Sequence, residues 1–356
     1  MRSLSVAISL VVLAAGCTGS SEGGFEHVSL RGLELNDNVL QGPGLVFQGP
    51  GIVFQGPGIV FQGPGIVFQG PGLVFQGVQF NGPGIVFQGP GVQIKDPGIV
   101  LEGSTLSATV VHNGAETVVS GLEFIGAEMD LRITSQVGNQ TQTVDVVLRI
   151  DDIDQSEQYD DVYLYGLSYR EKASNVWQPY CGSPGVAAIP LQNYWDIATG
   201  DRVDDPDVVT FACVDAALAK CTLLGYRPWA SETSCKGKNK KQVCGEVSLQ
   251  DHHQACSRML RADFCGDGTP MTVDGTAIDV FDGLDPQIQS RATDWPAEAE
   301  WTPEGASCVN FVRHPELGYP ECFKKKNGKP QKFNKCGQLA GDALLVSAYK
   351  APVAPQ

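Results

Sequence analysis

Cys265 is the residue of this chain with the strongest potential for covalent chemistry. It follows a predicted helix and precedes a turn sequence at residues 266–268, and a cysteine beside a helix end can have a lowered thiol pKa. His252 or His253 would then serve as the base, with Asp263 orienting it. The alternative is a structural disulfide, which we favour because nine other cysteines follow residue 180.

A second group of residues with chemical potential consists of aspartates interleaved with glycines. Asp267, Asp274 and Asp279 are the candidate calcium ligands, because calcium prefers several carboxylate and carbonyl oxygens on a glycine-rich turn. Their spacing differs from that of an EF-hand loop, and Asp-Gly pairs also form ordinary turns. We therefore expect turns rather than a calcium site here, and no cofactor.

The cysteines are confined to the second half of the chain, apart from one near the start. The ten that follow residue 180 are Cys181, Cys213, Cys221, Cys235, Cys244, Cys256, Cys265, Cys308, Cys322 and Cys336. An even count in an exported protein predicts up to five disulfides, with a pairing that cannot be deduced from sequence. Zinc binding is disfavoured because the closely spaced cysteine pairs of zinc sites are absent from the sequence.

Two lysine-rich segments oppose the acidity of the chain, whose formal net charge is -15. Residues 235–244 and 322–336 each begin and end with a cysteine, so each is predicted to be a disulfide-closed basic loop. Asn327-Gly328 predicts a tight turn in the second. Such loops either stay solvated or contact an anionic surface, such as a polysaccharide or lipopolysaccharide phosphate. The negative net charge argues against general nucleic-acid binding.

Two predicted helices must position the cysteines. Residues 208–225 and 248–263 carry apolar residues at helical spacing. Cys256 lies on the apolar stripe of the second helix, so we expect it to face the core. Cys213 and Cys221 are too far apart to bond each other within one helix, and they are predicted to link it to neighbouring elements.

Residues 104–170 are predicted to form a β-sheet unit. Apolar and polar residues alternate there, as in half-buried antiparallel strands. The runs cover residues 105–111, 122–125, 129–133, 143–150 and 162–165.

Residues 43–103 contain a repeat of the type Pro-Gly-Ile-Val-Phe-Gln-Gly. Each unit combines a short β-prone run with a Gly-Pro-Gly turn. Three arrangements fit this pattern: stacked coils of a β-solenoid, which we favour, a meander of very short strands, and a flexible elastin-like spacer. No charged residue occurs between Gln41 and Ile94, so we expect no chemistry in most of the repeat.

The N-terminus predicts export and lipidation. An apolar run at residues 4–15 leads to Leu13-Ala-Ala-Gly-Cys17 and then to a polar tether over residues 18–42. The run is too short to span a bilayer, as in a signal peptide. Residues 1–17 resemble a bacterial lipobox whose Cys17 becomes acylated, and Thr18 resembles the pattern sorted to the outer membrane. An ordinary signal peptide with a chance cysteine is the alternative.

Several short motifs in the second half of the chain resemble the ADYC-domain family over about residues 145–315. They include Phe211-Ala-Cys213, Ala219-Lys-Cys221, Gly225-Tyr-Arg-Pro-Trp229, His253-Gln-Ala-Cys256, Arg261-Ala-Asp-Phe-Cys-Gly-Asp-Gly268, Asp274-Gly-Thr-Ala-Ile-Asp279 and Trp301-Thr-Pro-Glu-Gly-Ala-Ser-Cys308. Phe264 stands where that family usually has Tyr. The resemblance implies an exported protein or lipoprotein of a kind found largely in myxobacteria, and it implies no activity.

The sequence therefore predicts a mixed α+β, disulfide-rich domain at residues 171–356 that follows the β-rich unit and a solenoid-like or flexible repeat stalk. We expect a cell-envelope lipoprotein, anchored to the outer membrane on its periplasmic or surface face, with a structural or binding role towards an envelope glycan or protein. One alternative is an extracellular hydrolase that uses Cys265 with His252 or His253. Another is a fibre that self-associates through the repeats. An enzyme is disfavoured because GxSxG, HExxH and P-loop motifs are absent from the sequence.

Overall fold

The computed structural model describes residues 92–112, 115–137, 140–196, 199–205, 208–236, 243–273, 275–331, 336–339 and 341–350, together with short strands between residues 34 and 86. Cys17 and the tether up to residue 33 lie outside the described residues, as does most of the repeat.

In the described part of the chain, β-strands outnumber helices by far. The strands are β1 (Glu34–Asn36), β2 (Val39–Gln41), β3 (Ile66–Phe68), β4 (Leu73–Phe75), β5 (Val78–Gln79), β6 (Ile85–Val86), β7 (Val92–Glu102), β8 (Thr105–His112), β9 (Ala115–Ser120), β10 (Glu128–Val137), β11 (Gln140–Gln155), β12 (Tyr163–Glu171), β13 (Gln178–Pro179), β14 (Ala188–Gln192), β15 (Tyr194–Trp195), β16 (Arg202–Val203), β17 (Val208–Cys213), β18 (Ser231–Lys236), β19 (Val243–Ser248), β20 (Ile278–Asp282), β21 (Ala297–Thr302), β22 (Gly305–Val309) and β23 (Leu345–Ala348). The α-helices are α1 (Ala217–Leu223) and α2 (Gln250–Arg261), and 3-10 helices cover Gly121–Phe124, Pro315–Leu317 and Glu321–Phe323. The expected mixed α+β class is therefore corrected to a mostly β fold with two α-helices among the described residues.

An eight-stranded antiparallel sheet forms the centre of the fold. Its order is β5-β17-β14-β12-β11-β10-β6, and β13 pairs with β12. The expected boundary at residue 170 falls inside β12, whose partner strands come from both sides of it. The sheet is continuous there because β14 and β17 are mostly apolar, buried strands that pair onto the same sheet.

The three-stranded sheet β7-β8-β9 covers one face of this central sheet. Leu106 and Ala108 of β8 pack with Leu148, Tyr165 and Phe211 of the central sheet in one buried cluster. The Tyr165 hydroxyl accepts a hydrogen bond from the Leu106 backbone N–H at 3.1 Å, and burial raises the pKa of Tyr165 to about 12. The alternating residues that predicted half-buried strands at 105–111 and 143–150 thus meet across a β-sandwich.

The two α-helices lie between the central sheet and a six-stranded sheet of order β1-β2-β20-β23-β21-β22. Leu218 of α1 packs on Ile189 and Leu191 of the central sheet. Met259 of α2 packs with Trp301 of the six-stranded sheet. The buried Cys221–Cys256 disulfide joins the two helices. The layers are therefore sheet, sheet, helices and sheet.

The predicted helix at residues 248–263 is confirmed as α2, and Cys256 on its apolar stripe is fully buried. The prediction for residues 208–225 is wrong in its first part, which forms strand β17, and correct for α1. Val208, Val209 and Thr210 are β-branched and favour a strand, and β17 pairs with β14 from Val209 to Cys213. Residues 122–125 also differ from the predicted strand, because Glu123 accepts from the Ser120 N–H at 2.9 Å and starts a 3-10 turn.

The described repeat strands pair antiparallel. Strands β3 and β4 come from two successive repeat units and form a hairpin in which Val67 lies opposite Val74. Strand β5 adds to one edge of the central sheet and β6 to the other. Solenoid coils stack in parallel, so the favoured solenoid is not found among these strands.

All ten cysteines after residue 180 are paired, as the even count predicted. The pairs are Cys181–Cys213, Cys221–Cys256, Cys235–Cys244, Cys265–Cys322 and Cys308–Cys336. Cys213 and Cys221 each bond to a different neighbouring element, as expected.

Replacing both Cys221 and Cys256 with Ala is expected to lower the free energy of unfolding by ~4 kcal/mol, because their disulfide closes a separation of 35 residues. The matched control replaces Cys235 and Cys244, which are only 9 residues apart, and should cost ~2.5 kcal/mol. Urea denaturation followed by circular dichroism measures both. An equal or larger loss in the control would contradict the loop-closure explanation.

Candidate functional site

The sulfur of Cys265 is bonded to Cys322, and the Cys322 backbone N–H donates to that sulfur at 3.3 Å. A cysteine acts as a nucleophile only as a thiolate, and a sulfur bonded in a disulfide is not a thiolate. The hydrolase alternative based on Cys265 therefore has no nucleophile in this structure. The bond instead joins the end of α2 to the segment that begins the second lysine-rich loop.

His252 and His253 lie inside the core, at 4% and 0% exposure. His253 Nε2 donates to the Leu218 carbonyl at 2.9 Å, and its ring packs against Trp195 with centroids 5.6 Å apart. Burial lowers the pKa of His253 to about 4. The His252 ring stacks on Tyr226. Both imidazoles are thus structural groups of the helical layer, without access to a substrate.

The two described aspartates among the candidate calcium ligands, Asp267 and Asp279, are engaged in turns. Asp279 is fully buried and accepts from the backbone N–H groups of Ala292 and Thr293, at 3.1 and 2.7 Å, and from the Thr293 hydroxyl. Asp267 accepts from the Thr269 N–H at 3.0 Å, and Asp274 lies outside the described residues. The carboxylates of Asp267 and Asp279 therefore stabilise loops by accepting backbone hydrogen bonds.

Among the described residues, one group has the geometry of metal ligands, and it consists of Glu300, Cys308 and Cys336. The two sulfurs are bonded to each other. The Glu300 carboxylate accepts from three successive backbone N–H groups at residues 337–339, at 2.6 to 3.0 Å. The group therefore holds a loop and lacks the free thiolates that a soft metal would require.

A buried ionic cluster closes the C-terminal end of α2. Arg258 is fully buried, and its guanidinium donates to Asp263 at 2.5 Å, to the Pro303 carbonyl at 3.1 Å, to Asp201 and to the Thr199 carbonyl. Burial raises the pKa of Asp263, while the neighbouring Arg258 opposes this shift. A buried charge of this kind persists only when it is paired and hydrogen-bonded. The cluster ties two separated segments, residues 199–201 and Pro303, to the helix end.

The residues that follow Asp263 complete this helix end. Phe264 is buried and stacks on Trp301 with ring centroids 5.1 Å apart. Gly266 has a positive φ of 66°, and a Cβ there would overlap the Glu304 carbonyl. Gly305 faces it with a φ of 122°, so two glycine-bearing motifs meet backbone to backbone. The motif at residues 261–268 therefore acts in packing rather than in chemistry.

The second lysine-rich segment presents an exposed hairpin at residues 324–330, called here the lysine hairpin. Lys324 and Pro330 form an antiparallel bridge, and the Lys325 N–H donates to the Lys329 carbonyl at 2.8 Å. Gly328 has a positive φ of 74°, which confirms the predicted Asn-Gly turn. Phe323 anchors the base of the hairpin in the core.

The prediction that each lysine-rich loop is closed by its own two cysteines is correct for the first loop and wrong for the second. Cys235 and Cys244 lie opposite each other on β18 and β19 and are bonded. Residues 322 and 336 bond to Cys265 and Cys308 instead. The second segment is thus fixed to two other elements, because its ends lie beside α2 and β22.

The lysine hairpin brings exposed cations together. Lys325, Lys326 and Lys329 are exposed, whereas Lys324 pairs with Glu321. The hairpin backbone is set by internal hydrogen bonds, so little ordering entropy remains to be lost when a ligand binds. Such a site suits anionic groups on a surface or polymer.

Sequence reasoning missed the partners of Asp263. Arg258 and Arg261 are charged residues on the buried side of α2, and Arg261 donates to the Gly268 carbonyl at 2.6 Å. Burial lowers the pKa of Arg261 to about 10. The available signal was their spacing of three on a helix, which places both arginines beside the Asp that follows the helix.

The fold and this geometry define a mostly β protein held together by disulfides, whose most recognisable motif stabilises a helix end. A family model described as the ADYC domain matches residues 121–315, and the chain belongs to this family. The match begins earlier than the start near residue 145 that was expected from the sequence, and it ends at the expected residue 315. No curated protein and no solved structure matches the chain.

No helix within the described ranges is both long and apolar enough to cross a membrane. Five disulfides are typical of proteins that work outside the reducing cytoplasm, and they are consistent with the expected extracytoplasmic location.

Replacing His253 with Gln is expected to make the protein less sensitive to acid. The pKa of this imidazole is about 4 in the folded protein, against the ordinary value of 6.5. Between pH 6.5 and pH 4 the imidazole is therefore protonated in the unfolded chain but neutral in the folded protein. This difference lowers the free energy of unfolding by ~3 kcal/mol as the pH falls from 6.5 to 4. Urea unfolding at pH 7 and pH 4.5 measures the difference between wild type and variant. An equal loss of stability in both proteins would show that His253 is not buried as a neutral group.

Proposed function

We propose that this protein is a cell-envelope lipoprotein, acylated at Cys17, whose ADYC domain binds an anionic envelope glycan through the lysine hairpin. The observation that carries the proposal is a rigid, exposed group of lysines on an otherwise acidic chain. The outer membrane is the proposed site of anchoring. The part of the tether that precedes β1, residues 18–33, is proposed to separate the domain from the bilayer, because β1 and β2 already belong to the six-stranded sheet.

The lipobox-like residues ending at Cys17 support the anchor, together with the polar tether that follows them. Two acyl chains hold a protein on a membrane stably, whereas one does not. The disulfides support an extracytoplasmic location. A domain whose cysteines are all paired also suits long exposure to oxidising conditions.

Charge supports the choice of an anionic glycan. The chain has a formal net charge of -15, so its acidic surface repels polyanions except where cations are grouped. Lys325, Lys326 and Lys329 form such a group at an exposed turn. A local basic site on an acidic protein gives selective rather than general binding of anions.

Self-association through the repeats is a second candidate function. It is supported by the antiparallel hairpin between β3 and β4, since successive units pair edge to edge there. Identical units on another chain present the same strand and the same edge. A fibre of this kind would require the repeats of different chains to replace the pairing within one chain.

Acylation of Cys17 is tested by metabolic labelling with an alkyne fatty acid in a Gram-negative host. The full chain is expected to incorporate the label and to fractionate with membranes. The Cys17→Ala variant is expected to lose both properties, because the sulfur is the attachment point. Labelling that persists in this variant, or wild-type protein without label, would contradict the anchor.

Replacing Lys325 and Lys326 with Gln is expected to weaken binding about 30-fold, because each lysine near an anionic surface contributes ~1 kcal/mol. Sedimentation with lipopolysaccharide aggregates or with polygalacturonate measures the affinity and separates phosphate from carboxylate ligands. The matched control replaces Lys172 and Lys350, which are also exposed, and it removes the same charge. Equal weakening by both pairs, or no binding to either probe, would contradict the role of the hairpin.

A further inference from the structure

A hydroxyl, an imidazole and a carboxylate lie in series, and none of the three residues belongs to the lysine hairpin. Thr276 Oγ1 is 2.7 Å from His314 Nε2, and His314 Nδ1 is 2.9 Å from Glu316 Oε1. These are hydrogen-bond distances in the order nucleophile, base and orienting group. The three residues do not belong to the Cys265 hypothesis or to the buried ionic cluster.

The hydrogen bonds favour the tautomer that a base requires. With its Nδ1–H donated to Glu316, His314 leaves Nε2 as an acceptor that faces the Thr276 hydroxyl. The pKa of Glu316 is lowered by its own backbone N–H and then by His314, so the group is an ionised carboxylate at neutral pH. The Thr276 hydroxyl also lies 2.7 Å from the Val273 carbonyl, and rotation about its C–O bond directs the proton to either acceptor.

Fixed elements hold each member of the series. Thr276 lies two residues before β20, in a turn closed by the bond from its N–H to the Val273 carbonyl at 3.3 Å. His314 precedes the 3-10 helix Pro315–Leu317, and its neighbour Arg313 is pinned by Glu298 through two charged hydrogen bonds of 2.7 and 2.8 Å. The imidazole therefore extends from a segment that is anchored in the core.

Two glycines and two exposed aliphatic residues adjoin the series in the chain. A Cβ built on Gly275 or Gly318 would meet no atom within 4 Å. Val273 and Leu317 flank the series in the chain and are exposed by 38% and 48%. Val273 lies three residues before Thr276 and Leu317 directly follows Glu316. Exposed aliphatic side chains at these positions suit a small substrate with an apolar group next to its reactive centre.

We propose that Thr276, His314 and Glu316 form a hydrolytic site for esters with short apolar acyl groups. Thr276 Oγ forms a bond to the ester carbonyl carbon while its proton passes to His314 Nε2. The bond from that carbon to the alcohol oxygen breaks, and Nε2 returns the proton to the departing alkoxide. Water then attacks the acyl-threonine by the same route and releases the carboxylic acid. Glu316 is a positioning residue that keeps Nε2 directed at the hydroxyl.

This inference does not rest on glycan binding, and its test uses the full chain with p-nitrophenyl acetate and butyrate as probes. Hydrolysis above the buffer rate is expected. Thr276→Ala and His314→Gln are each expected to lower kcat/KM by ~100-fold, whereas Thr276→Ser keeps the nucleophile and the activity. The matched control Thr269→Ala removes an exposed threonine hydroxyl outside the site and should leave the rate unchanged.

Two further measurements distinguish a role of these residues in catalysis from a role in stability alone. Glu316→Gln is expected to lower kcat at least ~10-fold with little change in KM, and Glu316→Asp to restore part of it. Mass spectrometry after rapid acid quench is expected to find the butyryl group on Thr276. The proposal is overturned by a rate equal to that of buffer, by wild-type activity in Thr276→Ala, or by an acyl group on another residue in place of Thr276.

Discussion

The buried guanidinium of Arg258 is the constraint on which the arrangement of the domain depends. It has no exposure to solvent and takes its acceptors from the loop at residues 199–201, from Asp263 and from the Pro303 carbonyl. Removal of one partner of a buried ion pair typically costs ~3–5 kcal/mol, because the remaining charge is left without compensation. The loop, the helix end and the turn after β21 must therefore occupy their positions together.

Buried carboxylates of the six-stranded sheet also fix loops by accepting hydrogen bonds from them. Glu300 holds residues 337–339 by their backbone N–H groups, and Asp279 holds residues 292–293. Glu298 accepts from Arg313 and from the Ser347 hydroxyl, which in turn accepts from the Trp301 indole N–H. Polar groups that would be costly if left unpaired thus fix the loops at defined points. Loops fixed in this way can present functional side chains at constant geometry.

The sequence allowed local features to be predicted better than long-range ones. The apolar stripe of α2, the turn at Gly328 and the even number of cysteines depend on neighbouring residues or on composition, and all three are confirmed. The strand character of β17 was missed because alanines and leucines further along suggested a helix, while pairing with β14 decided the outcome. In short segments, tertiary contacts often override the intrinsic preference of the residues for helix or strand.

The candidate sites also show that contacts between distant parts of the chain could not be predicted from the sequence. Disulfide pairing could not be predicted because it depends on which segments meet in space, as in the bond between Cys265 and Cys322. Thr276 and His314 are 38 residues apart in the chain, so no local pattern indicated that they touch. The lysine hairpin was visible because its charges are adjacent in sequence. Its closure by its own cysteines was nevertheless mistaken, since adjacent cysteines in the chain need not be neighbours in the fold.

Phe264 shows why function must be sought outside the most recognisable motif. It stands where the family resemblance leads us to expect Tyr, and it is 1% exposed and stacked on Trp301. A hydroxyl at such a position would need a hydrogen-bond partner to offset its desolvation, whereas a phenyl ring needs only packing. A motif that tolerates this change is defined by a helix end and a disulfide, and it specifies a scaffold. Chemistry or recognition on this scaffold must then come from its loops, where the exposed lysine hairpin and the partly buried Thr276 hydroxyl lie.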